Sequence, residues 1–191
     1  MKEPIRVGFA LTGSFCTHAR VLAVMEQMQA AGYRLTPVLS FHAGALDTRF
    51  GTAEALRARL LEICGVPPID TIEAAEPIGP KRMFDVLVLA PCTGNTIAKL
   101  AYSITDTPVT MAVKSHLRGE RPVVLAVSTN DALSGSAANI GTLLNRRHYY
   151  FVPMRQDAPE SKPRSVVAEM EQIPAAVEAA LEGRQIQPIF C

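Results

Sequence analysis

Apolar residues in this chain recur in two rhythms that alternate along its length. Ile5–Thr12 (IRVGFALT), Phe84–Pro91 (FDVLVLAP) and Arg121–Thr129 (RPVVLAVST) are nearly continuous apolar runs, the pattern of strands covered on both faces. Weaker strands are predicted at Tyr33–Ser40, which contains Pro37, and at His148–Pro153, read as the last strand. Between these runs the apolar spacing is helical. Phe15–Ala31 places Val21, Met25 and Met28 on one face and meets a stop at Gly32; residues 52–65 end likewise at Gly65. Further helices are predicted at Thr96–Ile104, Pro108–Leu117 and Gly135–Asn145, with a helical tail over 165–182 interrupted at Pro174. Asp157–Arg164 (DAPESKPR) reads as an exposed flexible loop.

Strands alternating with helices imply βαβ units, hence a parallel sheet with helices on both faces. The predicted class is a doubly wound α/β fold, a Rossmann-like and flavodoxin-like three-layer sandwich. With 191 residues the expectation is one domain over 1–191, carrying a helical C-terminal tail at about 165–191. Hydrophobic residues make up 48% and charged residues 19%, which excludes a disordered chain. A net charge of +1 offers no general attraction for nucleic acid or acidic membranes. Val7–Leu11 is too short for a signal-peptide core or a membrane span, so a cytoplasmic protein is expected. Cysteines at 16, 64, 92 and 191 form no CxxC and no Cys/His pair at zinc spacing. They are read as free thiols, and no metal site is expected.

In a doubly wound fold, ligands bind beyond the carboxyl ends of the strands. Four such ends carry small polar residues: TGSFCT (12–17), Ser40, APCTGNT (90–96) and STND (128–131). Gly13 allows close backbone approach, and Ser14 is placed to cap a helix and to offer a hydroxyl to an anion; Asn95 and Thr96 are placed to do the same. Each residue taken singly is also an ordinary N-cap, and it is their convergence on one edge that points to a ligand. No GxGxxG or Walker motif is present, so a mononucleotide suits the chain better than a dinucleotide.

TGSFCT together with APCTGNTIAKLAYSITD resembles, over residues 5–130, the flavoprotein family that includes the FMN-dependent cysteine decarboxylases and the flavin prenyltransferases. That likeness implies FMN held by a Gly-Ser pair after the first strand, a Ser or Thr after the second, and a P-x-[ST]-x-N-T-x-[AG]-K-[IL]-A stretch. Carried over, it implies Gly13, Ser14, Phe15, Ser40, Pro91, Cys92, Thr93, Asn95, Thr96 and Lys99 as cofactor-binding residues. The family's P-x-M-N-x-x-M-W signature survives only as Asn130, within VSTNDALS. The decarboxylases' catalytic His falls where this chain has Pro77, and no catalytic residue is assigned.

A narrower likeness, carried by Ala90–Pro159 and Ile173–Phe190, covers nearly the whole chain. It is to one component of a two-chain oxidoreductase of spore-forming bacteria. It implies formation of pyridine-2,6-dicarboxylate from a dihydrodipicolinate-type precursor during sporulation, with NAD(P) brought by a dehydrogenase-like partner, the A subunit. The family likeness also implies a homo-oligomer, a trimer or a multiple of one. An independent FMN-dependent lyase or transferase, and a non-catalytic scaffold of the same fold, are the alternatives.

Two basic stretches stand apart from these motifs: Lys114, His116, Arg118 and Arg121, and then Arg146, Arg147 and His148. Cations there suit a small dicarboxylate substrate, an intersubunit contact, or the negative ends of helices. The loop Ser128–Gly141, rich in small residues, suits either a wrapped ligand or a partner.

Overall fold

The structure, a computed structural model, describes residues 3–191. Its sheet is built on β1 (Arg6–Leu11), flanked by β2 (Arg34–Leu39) and β3 (Val86–Cys92); β4 (Val123–Thr129) and β5 (Tyr149–Phe151) follow, all parallel. The continuous apolar runs are buried on both faces, with Phe9, Leu87 and Leu125 wholly inaccessible. Each such side chain contributes about 2 kcal/mol of burial. Pro37 is tolerated because β2 is an edge strand. Its carbonyl turns outward to accept from the Ile69 N–H, so its missing donor deprives no neighbouring strand.

Helices cover both faces. α1 (His18–Ala30) follows a 3-10 turn at Phe15–Thr17 and packs with α8 (Ile173–Leu181). α5 (Gly94–Ala101) packs against α6 (Pro108–Leu117) and α7 (Ala137–Leu144). Between β2 and β3 run α2 (Phe41–Ala45), α3 (Ala53–Cys64) and α4 (Ile72–Ala75), the last continued by a 3-10 turn at Glu76–Ile78. α3 ends as predicted at Gly65, whose φ of 70° is the left-handed cap. Among the described residues no helix is long and apolar enough to cross a membrane.

Three expectations are corrected. The predicted helix 96–104 begins earlier, at Gly94, and stops at Ala101 because Ser103 turns left-handed at φ 58°. The strand at 149–151 is not the last: β6 (Met154–Arg155) and β7 (Val166–Ala168) form a hairpin, and β7 pairs antiparallel with Ser128 and Thr129 of β4. The tail is therefore not helical from residue 165. Val166 and Ala168 are buried while Val167 is half-buried, the alternation of a strand. Pro174 does not interrupt α8 but sits in its first turn, where a missing N–H costs nothing.

The chain leaves β1 towards β2 on one side and returns to β3 on the other. This reversal opens a crevice at the carboxyl ends of β1 and β3.

Candidate functional site

That crevice is a cavity of about 700 Å³, walled by the ends of β1, β3 and β4 and by the β6–β7 loop. Local hydrogen bonds hold the strand ends together. Thr12 Oγ1 donates to the Pro91 carbonyl (2.7 Å) and accepts from the Thr93 N–H (3.2 Å), joining β1 to β3. Ser14, left-handed at φ 60°, donates from Oγ to the Ser128 carbonyl at 2.7 Å, joining β1 to β4. Its hydroxyl is thus committed across the sheet and does not cap a helix, contrary to the expectation from sequence. Gly13 makes its close approach to Thr93: a Cβ at Gly13 would lie 3.2 Å from Thr93 Cγ2.

At β3 the cap of α5 is Thr93, which accepts from the Thr96 N–H at 3.4 Å. Thr96 is buried with its hydroxyl against that of Thr93 (3.1 Å), whereas Asn95 is exposed on the cavity wall. Gly94 is required here. A Cβ would fall 2.5 Å from Ser136 Oγ, 2.7 Å from Thr129 Oγ1 and 2.8 Å from Asp131 Oδ1.

Asp131 is the residue that pattern reasoning passed over. Its Oδ1 accepts from Thr129 Oγ1 (2.6 Å) and Ser136 Oγ (2.9 Å), and the carboxylate lies against the first residue of α5. It therefore answers the positive end of that helix. Thr96 turns inward onto Thr93, so of the pair only Asn95 faces the cavity. Asp157 and Lys162, paired at 3.0 Å, also line the cavity with Ser165. These arrive on the hairpin that the sequence shows only as a polar loop.

The predicted residues separate accordingly. Ser14, Thr93, Asn95 and Asn130 line the cavity. Ser40 instead caps α2, accepting from the Ala43 N–H at 3.2 Å. Phe15 lines a neighbouring hollow of about 240 Å³ between α1 and the α2–α3 segment. Lys99 points away from the cavity, its Nζ 2.8 Å from both carboxylate oxygens of Asp106. Pro91 and Cys92 are buried within β3, and burial pushes the Cys92 thiol far above its ordinary pKa, leaving it without thiolate character. Cys64 is raised to about 11 by burial. Exposed Cys16 borders the cavity. Iodoacetamide is therefore expected to alkylate Cys16 and Cys191 in the native chain and to spare Cys64 and Cys92. Peptide mass mapping checks this, and rapid labelling of Cys92 would contradict the closed strand end.

Most of the lining residues are Ser, Thr or Asn, set among apolar surface. That donor set fits the polar edge and the ribityl hydroxyls of a flavin mononucleotide. Among the described residues no group of three His, Cys, Asp or Glu side chains could hold a metal.

Comparison with known proteins agrees with this geometry. The Flavoprotein family profile matches residues 1–179. The B subunit of dipicolinate synthase from Bacillus subtilis (strain 168) is 43% identical over 185 residues, which cover 97% of this chain and 92% of that protein. The crystal structure of the dipicolinate synthase B subunit from Bacillus halodurans C superposes with a TM-score of 0.91 at 42% identity, covering 100% of this chain and 98% of that one. The FMN-dependent cysteine decarboxylase SpaF shares the fold alone, at a TM-score of 0.70 and 22% identity, over 93% of this chain and 98% of that one. The profile match over residues 1–179 and relatives 43% and 42% identical over nearly the whole chain show that the chain belongs to the flavoprotein family, in the branch that holds the dipicolinate synthase B subunits.

Proposed function

We propose that this chain is the flavoprotein-fold component of a two-chain dipicolinate synthase. With an NAD(P)-dependent A subunit it forms pyridine-2,6-dicarboxylate from a dihydrodipicolinate-type precursor in the cytoplasm of a sporulating cell. The reaction is a two-electron aromatisation: the ring loses a hydride to NAD(P)⁺ and a proton to a base. The observation that carries the reading is the strand-end cavity on a chain matching its Bacillus subtilis relative over 97% of its length.

In this reading the cavity receives FMN. Asn95 and Asn130 present amides to its polar edge, the Gly13–Ser14 turn takes the phosphate, and Asp131 keeps α5 from competing for it. Bound flavin would supply a planar two-electron relay between the ring and NAD(P)⁺. The absence of a His at Pro77 fits a chain that has left decarboxylation and depends on its partner for chemistry. Assembly as a homo-trimer or a multiple of one is part of the same proposal.

The test is the rate of pyridine-2,6-dicarboxylate formation from enzymatically generated precursor with NAD(P). This chain alone, the dehydrogenase-like partner alone and the mixture are compared, each with and without FMN. Activity is expected only in the mixture and is expected to rise with FMN. Full activity of the partner in the absence of this chain would overturn the two-chain reading, and indifference to FMN would remove flavin from it.

A further inference from the structure

Two basic stretches separated in sequence meet in space. α5 points its first turn at the strand-end cavity, and its last turn borders a second hollow of about 690 Å³. The floor of this hollow is apolar, made by Leu100, Val113, Leu117 and the ring of Tyr149. One wall is α6, which contributes Lys114 and Arg118; another is the turn into β5, which contributes Arg146, Arg147 and His148. Glu120 is the one carboxylate on the lining. Among the described residues Lys114, Arg118 and Arg147 enter no ion pair.

The second wall is fixed in place. Arg146 Nη1 and Nη2 donate to the carbonyls of Leu100 (3.0 Å) and Ala101 (2.6 Å), closing the end of α5. The His148 carbonyl, in a left-handed turn at φ 69°, accepts the Val123 N–H at 2.8 Å. Burial raises the Tyr149 hydroxyl to about 12, so it stays a hydrogen-bond donor. Of the first stretch, His116 and Arg121 turn inward: Arg121 donates to the carbonyls of Phe84 (2.7 Å) and Gly79 (3.2 Å), leaving Lys114 and Arg118 at the rim. Helix dipoles account for cations at the end of α6 and just after α7. They do not account for both sets converging over one apolar floor.

We propose that this hollow is a binding site for a small ring bearing two carboxylates. One carboxylate meets Lys114 and Arg118, the other meets Arg147, and the ring lies on the Leu100–Leu117 floor. Charge-assisted bonds from guanidinium to carboxylate give such a site its strength, and fixed walls reduce the cost of ordering. That the natural occupant is pyridine-2,6-dicarboxylate or its precursor rests on the function proposed above; the site itself does not.

Isothermal titration calorimetry on the full chain tests it with two probes, pyridine-2,6-dicarboxylate and benzene-1,3-dicarboxylate, and with benzoate as the single-carboxylate control. Both dicarboxylates are expected to bind, with benzoate at least tenfold weaker. Arg118→Gln and Arg147→Gln, both at exposed positions, are expected to weaken the dicarboxylates about tenfold each and about a hundredfold together. Circular dichroism of each variant checks that the fold persists. No binding below about 1 mM, or binding unchanged in the double variant, would overturn the proposal; so would binding lost only on Asn95→Ala, which assigns the ligand to the strand-end cavity. Dicarboxylate binding through Arg118 and Arg147 without product formation in the two-chain assay would sustain this site and remove the proposed function.

Discussion

Acidification from neutral pH to about 4 is expected to cost the folded chain on the order of 3 kcal/mol through His116 alone. The ring is fully buried, and its Nε2 donates to the Pro122 carbonyl at 3.1 Å. Nδ1 is buried with no partner, which the neutral ring tolerates as an unprotonated nitrogen. Protonation would place a second N–H where nothing accepts it. The groups that bear on it are the Phe84 ring, 6.5 Å away, the Arg121 guanidinium and the Asp85 carboxylate. Burial, then Arg121, lower its pKa to about 4, against the opposing pull of the Pro122 carbonyl and Asp85.

The sign follows from linkage. A histidine whose folded pKa lies below its unfolded value of about 6.5 binds its proton more readily when unfolded. Its neutral form supports the fold fully above about 6.5, and that support is lost as pH falls towards 4. Urea midpoints measured at intervals between pH 7 and 4 for the native chain and for His116→Gln separate this effect from the titration of carboxylates, which both chains share. The stability difference between them is expected to shrink or reverse as pH falls. Parallel curves would mean that His116 takes up its proton at the same pH in the folded and unfolded chains, against the lowered pKa.

How far the sequence could be read follows from which forces act locally. Val86–Cys92 and Val123–Thr129 were legible because a strand buried on both faces must be apolar throughout. α6 was legible to the residue because Thr107 caps it and Pro108 opens it. The strand-end cavity was legible as a place, since Ser14, Thr93, Asn95 and Asn130 all reach it. Its electrostatics were not. Asp131 stands in a run of small residues like an ordinary turn aspartate, and only the packing of Gly94 against it reveals a counter-charge. Lys99 belongs to the flavin-binding stretch by resemblance, yet Asp106 takes it at 2.8 Å. The β6–β7 hairpin was hidden because its strands, of two and three residues, are too short to show a period. The second hollow joins stretches that only the α5–α6–α7 packing brings together.

Gly79→Ala is expected to destabilise the chain by on the order of 3 kcal/mol or more, although nothing about its backbone demands glycine. Its φ is −72°, ordinary for any residue. The obstacle is distance. A Cβ there would fall 2.0 Å from the Ser115 carbonyl oxygen, 2.8 Å from its carbon and 2.9 Å from its Oγ. A side-chain end could rotate away; the carbonyl of an α6 residue cannot move without its helix. The same contact carries a clasp: Ser115 Oγ accepts from the Gly79 N–H at 2.7 Å and donates to the Glu76 carbonyl at 2.6 Å. Pro77 lies within this turn, so the stretch is used for packing. Displacing α6 must also move Lys114 and Arg118, which flank Ser115 on the rim of the second hollow. Urea denaturation of Gly79→Ala should therefore be read beside its affinity for benzene-1,3-dicarboxylate, with Gly141→Ala as the control, since nothing lies within 4 Å of a Cβ at Gly141. Stability and affinity are expected to fall together in Gly79→Ala and to hold in Gly141→Ala. Native stability in Gly79→Ala would show that the turn and α6 separate at little cost, and that the clasp does not set the position of the basic rim.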